Sequence, residues 1–237
     1  MLSIEGLSKK YRGTETYSAE NITLEVKDGE VCGLVGSNGA GKSTIIKCIT
    51  GILPFSEGHV RIGGFDLAES PEKAKRLVGY VPDDHTVYDK LTGREYADYI
   101  GSLYGAKKER KKEIVERYAE IFSLTHALDK QIGGYSHGMK QKICIIGSLV
   151  HDPSLWILDE PMVGLDPQTM KALCGIIRGY AEGERSVLFS SHNLDVVDKV
   201  CDKIAFIRKG RLVSVIEKKD MAEGFDIEAH FRSVCEV

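Results

Sequence analysis

Several features are missing from this chain, and each absence removes a class of function. No apolar run approaches the roughly 18 residues that a membrane-spanning helix needs; the best candidate, residues 143–150, is far too short. Any role at a membrane must then go through a partner. Positive charge is not in excess either. With 32 Lys and Arg against 35 Asp and Glu, the net charge is -3, so the chain lacks the basic footprint expected of a nucleic-acid binder. The six cysteines (Cys32, Cys48, Cys144, Cys174, Cys201 and Cys235) include no C-x-x-C pair, which argues against a zinc site and against a disulfide framework. Scattered thiols in a chain of this length fit a reducing cytosol. The first residues, M-L-S-I-E-G-L-S-K-K-Y, do not run from a basic segment into an apolar one, so no secretory signal is expected and the protein is expected to stay inside the cell. There is no internal repeat, no low-complexity segment and no N-K-x-D guanine-recognition motif.

What is present is a chain of 237 residues, 42% of them hydrophobic, enough for one large domain with a smaller insertion. Ile22 to Val26 alternates with period two, and Asp28-Gly29 turns the chain into a second apolar run, Val31 to Val35. A small sheet is expected to open the fold. Residues 43–52 have helical character up to Pro54, residues 59–62 and 77–81 read as strands, and Pro82 stops the latter. From about residue 90 to 147 the period changes: Tyr96, Tyr99, Ile100 and Leu103 fall at helical spacing, so a helical insertion interrupts the α/β pattern. Its charged stretch, residues 107–120, mixes signs and reads as a solvated helix face. Strands are then expected at 155–158 and 186–189, helices at 167–181 and 194–201, and a hairpin over 204–215 turning at Lys209-Gly210. This alternation predicts a mainly parallel sheet covered by helices.

Two segments carry chemistry. G-S-N-G-A-G-K-S-T, residues Gly36, Ser37, Asn38, Gly39, Ala40, Gly41, Lys42, Ser43 and Thr44, matches G-x-x-x-x-G-K-[ST] and lies between a predicted strand and a predicted helix. Its glycines let backbone N–H groups converge on an anion, and the helix that follows adds its positive end. Lys42 supplies a point charge toward the β- and γ-phosphates, and the Ser43 hydroxyl is available to Mg²⁺. The second segment, L-W-I-L-D-E-P, delivers two carboxylates at the C-terminal end of a strand, where ligands collect in open α/β sheets. Adjacent residues leaving a strand point apart, so Asp159 can face a metal while Glu160 faces a water near the γ-phosphate as general base or water-orienting group. A third segment, Y-S-H-G-M-K-Q-K (135–142), sets Ser136 beside His137 like a nucleophile and its base. Consecutive residues do not face each other, and hydrolase triads draw their members from distant parts of the chain, so the pair is not read as catalytic.

With these segments in place the chain resembles the ATP-binding cassette (ABC) family of ATPases over nearly its whole length, from about residue 2 to 217. The phosphate loop is similar to the family's first phosphate motif and Y-S-H-G-M-K-Q to its L-S-G-G-Q signature. L-W-I-L-D-E-P is similar to its second phosphate motif, G-L-D-P (164–167) to its D-loop and S-S-H (190–192) to its switch histidine, all in family order. The resemblance implies a P-loop NTPase: a RecA-like mainly parallel sheet, an N-terminal antiparallel β subdomain and an inserted helical subdomain. The expected nucleotide-binding domain is 1–220 with the helical insertion at about 88–147, and 221–237 form a short C-terminal extension. It also implies an ATP sandwich, in which the phosphate loop of one subunit closes over ATP and Mg²⁺ against Ser136 and Gly138 of a second subunit. Catalysis is then expected from Glu160, His192 and Lys42, with His192 holding the γ-phosphate. Metal binding is expected from Ser43, Asp159 and Asp83, and coupling between the two sites from Asp166. Tyr11 matches the adenine-stacking aromatic, with Tyr17 as the alternative.

Two positions depart from the family pattern. Asp83, in G-Y-V-P-D-D, stands where most members carry glutamine; a carboxylate accepts hydrogen bonds but donates none. His137 replaces the first glycine of the signature, where a side chain either crowds the nucleotide or points to solvent. These looser motifs look like the branch serving drug, antibiotic, lantibiotic and sodium exporters with separate permease chains. The expected function is therefore the ATP-hydrolysing subunit of such an exporter, a homodimer on ATP, cytoplasmic and peripheral on the inner face of the membrane through its permease. The alternatives are a non-transport cassette acting on nucleic acid or ribosomes, which the acidic balance and single cassette oppose, and a non-catalytic regulator, which the intact Lys42, Ser43, Asp159, Glu160 and His192 oppose.

Overall fold

The computed structural model describes residues 1–84, 86–222 and 224–235. Two sheets form. The first is antiparallel, with strands β1 (Leu2–Lys10), β2 (Tyr17–Val26), β4 (Glu57–Ile62) and β5 (Phe65–Asp66) in the order β2-β1-β4-β5. The second takes β3 (Val31–Val35), β6 (Val78–Val81), β7 (Leu155–Leu158), β8 (Ser186–Ser191), β9 (Lys203–Arg208) and β10 (Arg211–Glu217) in the order β10-β9-β3-β8-β7-β6. All its pairings are parallel except β9 with β10 at the edge.

The second sheet is apolar on both faces, and its side chains divide by period two. Trp156 and Leu158 of β7 join one core with Val187 and Phe189 of β8 and Phe206 of β9, beneath α5 (His137–Leu149), α6 (Pro167–Tyr180) and α7 (Leu194–Val200). Leu155 and Ile157, with Leu188, Ala205 and Ile207, face a second core shared with the antiparallel sheet and α1 (Lys42–Ile49). Such strands read as continuous hydrophobic runs because helices or a second sheet cover both sides. At roughly 25 cal/mol per Å² of apolar surface removed from water, these two cores dominate the stability.

The helical insertion consists of α3 (Gly93–Leu103), α4 (Lys108–Ile121) and α5. T-G-R-E starts α3 through a full capping box between Thr92 and Glu95, satisfying two orphan N–H groups reciprocally. The base of the insertion closes through Ile132 N–H to Leu91 O (2.9 Å) and Gly133 N–H to Asp89 O (2.9 Å). Two helices fall outside the sequence expectations: α2 (Pro71–Arg76), with proline in its first turn, and α8 (Ile227–Cys235). Within the C-terminal extension, α8 packs on β9, with His230 and Phe231 against Phe206 (ring centroids 5.0 and 6.5 Å apart). Its signal was Asp226, whose carboxylate accepts from Ala229 N–H, followed by apolar Ile227, Phe231 and Val234 at helical spacing. Among the described residues no helix is long and apolar enough to cross a membrane.

Candidate functional site

β3 ends at Val35 and the chain turns through the glycine-rich loop into α1. Gly41, just before α1, has φ 109°, and a Cβ there would sit 2.4 Å from Ser18 O, so a side chain is excluded by both strain and space. The loop forms one wall of a cavity of about 1070 Å³. Asn38 to Thr44, Asp83 and Glu160 line it, together with Tyr17 and, from the β9–β10 turn, Arg208, Lys209 and Arg211. Gly36 and Ser37 stand behind the wall, where their carbonyls accept from Lys42 Nζ at 2.7 and 3.3 Å.

The parallel register of β3, β8 and β7 brings distant motifs over the loop. Glu160, just past β7, has φ 48°, a left-handed conformation rare outside glycine and a mark of a position the surroundings enforce. Its Oε1 lies 3.2 Å from Lys42 Nζ and its Oε2 accepts from His192 Nδ1 at 2.9 Å. Ser190 binds the two acids together: its Oγ accepts from Glu160 N–H (2.8 Å) and donates to Asp159 Oδ1 (2.6 Å). The S-S-H motif was legible, but the role of Ser190 was not, because it depends on β8 lying beside β7.

Asp159 is fully buried, and its Oδ2 has no hydrogen-bond partner among the described residues. Burial raises its pKa above the ordinary carboxylate value; the Ser190 and Ser43 hydroxyls oppose this, while the nearby charge of Asp83 adds to it. An orphaned buried oxygen beside a serine hydroxyl and a second carboxylate suits a hard, oxygen-seeking cation, so these residues fit Mg²⁺. Asp83 is not idle: Lys47 of α1 lies 3.7 Å from its Oδ1. The two tyrosines divide. Tyr17 lines the cavity, whereas Tyr11 is exposed and its hydroxyl reaches Thr44 Oγ1 at 3.5 Å.

Ser136, Gly138 and Asp166 do not line this cavity. Ser136 caps α5, accepting from Met139 N–H (3.3 Å), and Asp166 caps α6, accepting from Thr169 N–H (2.9 Å). Bonds from Thr169 hold the Asp166 carboxyl below the usual range. The imidazole of His137 lies against the D-loop: a Cβ on Gly164 would sit 2.9 Å from its Cδ2. Gln141, on the same helix, is fully buried and donates from Nε2 to Pro161 O, fixing α5 to the segment after Glu160.

Residues 19–163 match the family model described as "ABC transporter". The chain belongs to the ABC transporter family. The linearmycin resistance ATP-binding protein LnrL of Bacillus subtilis is 35% identical over 221 residues, covering 93% of this chain and 70% of the relative. The ABC transporter ATP-binding protein NatA of the same organism is 31% identical, over 90% of this chain and 88% of its own. A solved ATP-binding subunit of an ABC transporter superposes with a TM-score of 0.92 at 30% identity, covering 99% of each chain. The chain is thus an ABC transporter's ATP-binding subunit, with the P-loop NTPase fold expected from its motifs, and the cassette binds and hydrolyses ATP to power transport.

Proposed function

We propose that this cassette, as a homodimer closed on ATP and Mg²⁺, drives a separate transmembrane permease that exports a drug, peptide antibiotic or ion. The observation that carries the reading is the convergence of Lys42, Glu160 and His192 within 3.2 Å contacts over the phosphate loop, with Asp159 buried behind them. Backbone N–H groups of the loop and the start of α1 hold the phosphates, and Lys42 turns its charge from Glu160 toward them. Ser43 and Asp159 would hold Mg²⁺, with Asp83 at the same wall; when bound, the ion neutralises charge on the β- and γ-phosphates. Glu160 orients the attacking water and takes its proton, and His192 holds Glu160 in place and contacts the γ-phosphate. Ser136 and Gly138, at the N-terminus of α5, supply the anion site for the nucleotide of the other subunit, and Asp166 links the two sites.

With no spanning helix among the described residues, the membrane is reached through the permease, on the cytoplasmic side. The relative named for linearmycin resistance supports export over import. The testing variant is Glu160→Gln. It is expected to bind ATP like the parent, to lose turnover by at least about 100-fold as removal of a general base does, and to accumulate as a dimer on ATP in size-exclusion chromatography. Unchanged phosphate release would remove Glu160 from the mechanism.

A further inference from the structure

The cavity has a cation that the roles above leave unused. Lys209 and Gly210 form the two-residue turn between β9 and β10, with φ of 47° and 76°, the left-handed pair of a tight hairpin. This turn is clamped to the phosphate loop. Gly210 N–H donates to Ala40 O and Gly210 O accepts from Glu20 N–H, both at 2.7 Å. A Cβ on Gly41 would come within 3.2 Å of Gly210 Cα. The backbone of Lys209 is therefore set against the loop, and the residue, exposed to solvent, lines the cavity.

The other charged groups lining the cavity are largely committed. Lys42 is held by the Gly36 and Ser37 carbonyls and by Glu160. Arg211 forks onto Glu20 through bonds of 2.9 and 2.7 Å, Arg208 donates to Val234 O, and Asp83 faces Lys47. Among the described residues Lys209 has neither an ion pair nor a hydrogen bond, and Glu15 is the wall's remaining carboxylate without an ion pair. We propose that Lys209 is a second phosphate-binding cation of this site, acting on the part of the nucleotide chain nearest the sugar. The placement follows from its anchor. The turn touches Ala40, Gly41, Ser18 and the backbone carbonyl of Tyr17, the alternative adenine-stacking residue, whereas Lys42 Nζ is drawn to Glu160 and the Gly36 and Ser37 carbonyls, none of which the turn contacts. Lys209 then serves ATP and ADP alike and offsets the repulsion of Glu15.

The inference rests on the nucleotide site proposed above, and the test separates the two. Binding of ATP and of ADP, each with Mg²⁺, is measured by calorimetry on the wild-type cassette and on Lys209→Asn and Lys209→Gly, residues that accept the left-handed turn. Both variants should keep the melting temperature of the nucleotide-free protein and lose about five- to tenfold in affinity for ATP and ADP equally, the size of a solvent-facing charge-assisted contact. Lys209→Arg should restore binding, and added salt should weaken the wild type more than Lys209→Asn. Wild-type ADP affinity in Lys209→Asn, or a loss confined to ATP, would overturn the assignment. Failure of the wild type to bind either nucleotide would instead count against the site as a whole.

Discussion

Asp159 carries the sharpest conflict between stability and function at the level of single residues. A fully buried carboxylate with one unpartnered oxygen costs the fold free energy when it ionises, because water is traded for too few hydrogen bonds. Its folded-state pKa is raised, so the protein without nucleotide is favoured below the unfolded value and loses that advantage as pH rises through the folded one. Asp159→Asn keeps an acceptor for Ser190 and removes the charge. Chemical denaturation of the nucleotide-free variant at neutral pH should show it more stable than wild type by about 1–3 kcal/mol, the cost of an unsatisfied buried polar group. The gain should vanish as pH falls toward 4, and Mg²⁺ should no longer strengthen nucleotide binding. Equal stability of the two proteins at neutral pH would mean that the buried carboxylate is compensated elsewhere.

At the scale of elements, α5 ties the signature segment to the D-loop of the same chain. Gln141 donates to Pro161 O, and the His137 ring covers Gly164, whose φ is 79°. Gly164→Ala therefore meets two penalties, a left-handed backbone and a ring 2.9 Å from the new Cβ. The expected loss is about 2 kcal/mol in urea unfolding. Adding His137→Gly should return the steric part and leave the roughly 1 kcal/mol that φ imposes. Additivity of the two changes would show that the ring and the D-loop do not communicate. His137 is therefore a packing partner of the D-loop, which the sequence could not reveal because a signature residue meets a segment 27 positions later only once β7 has been placed. Local signals fared better. The phosphate loop, the acid pair after β7 and most strands were readable because each depends on a few neighbouring residues. What depended on sheet order was not: Ser190 bridging the acids, Lys47 facing Asp83, and the β9–β10 turn on the phosphate loop. The last requires β9 beside β3 and β10 against β2.

For the molecule as a whole, the arrangement depends on how the helical insertion is seated on the sheet, and one seat is titratable. His151, just past α5, donates from Nε2 to Val78 O at the start of β6 (3.1 Å) and stacks on Tyr104 at the end of α3 with ring centroids 3.7 Å apart. Its neighbour Asp152 joins Arg110 of α4 to Arg185 before β8 at 3.2 and 2.8 Å, so an ionic contact and an aromatic one lie side by side at this joint between insertion and core. Burial lowers the His151 pKa from 6.5 to about 4, with the Val78 carbonyl and Asp152 opposing it. The fold thus binds fewer protons than the unfolded chain between these values. The stability that neutral His151 contributes is complete above pH 6.5 and is lost as pH falls through about 4. Full linkage over that interval would reach about 3 kcal/mol, and about 2 kcal/mol remains after allowing for partial exposure of the ring. His151→Phe keeps the stack on Tyr104 but cannot protonate. Its unfolding free energy should fall by about 2 kcal/mol less than that of the wild type between pH 7 and pH 4, even though the lost bond to Val78 O lowers its stability at pH 7 by about 1 kcal/mol. Parallel pH profiles for the two proteins would show that His151 titrates as an ordinary surface histidine and that acid does not act at this joint.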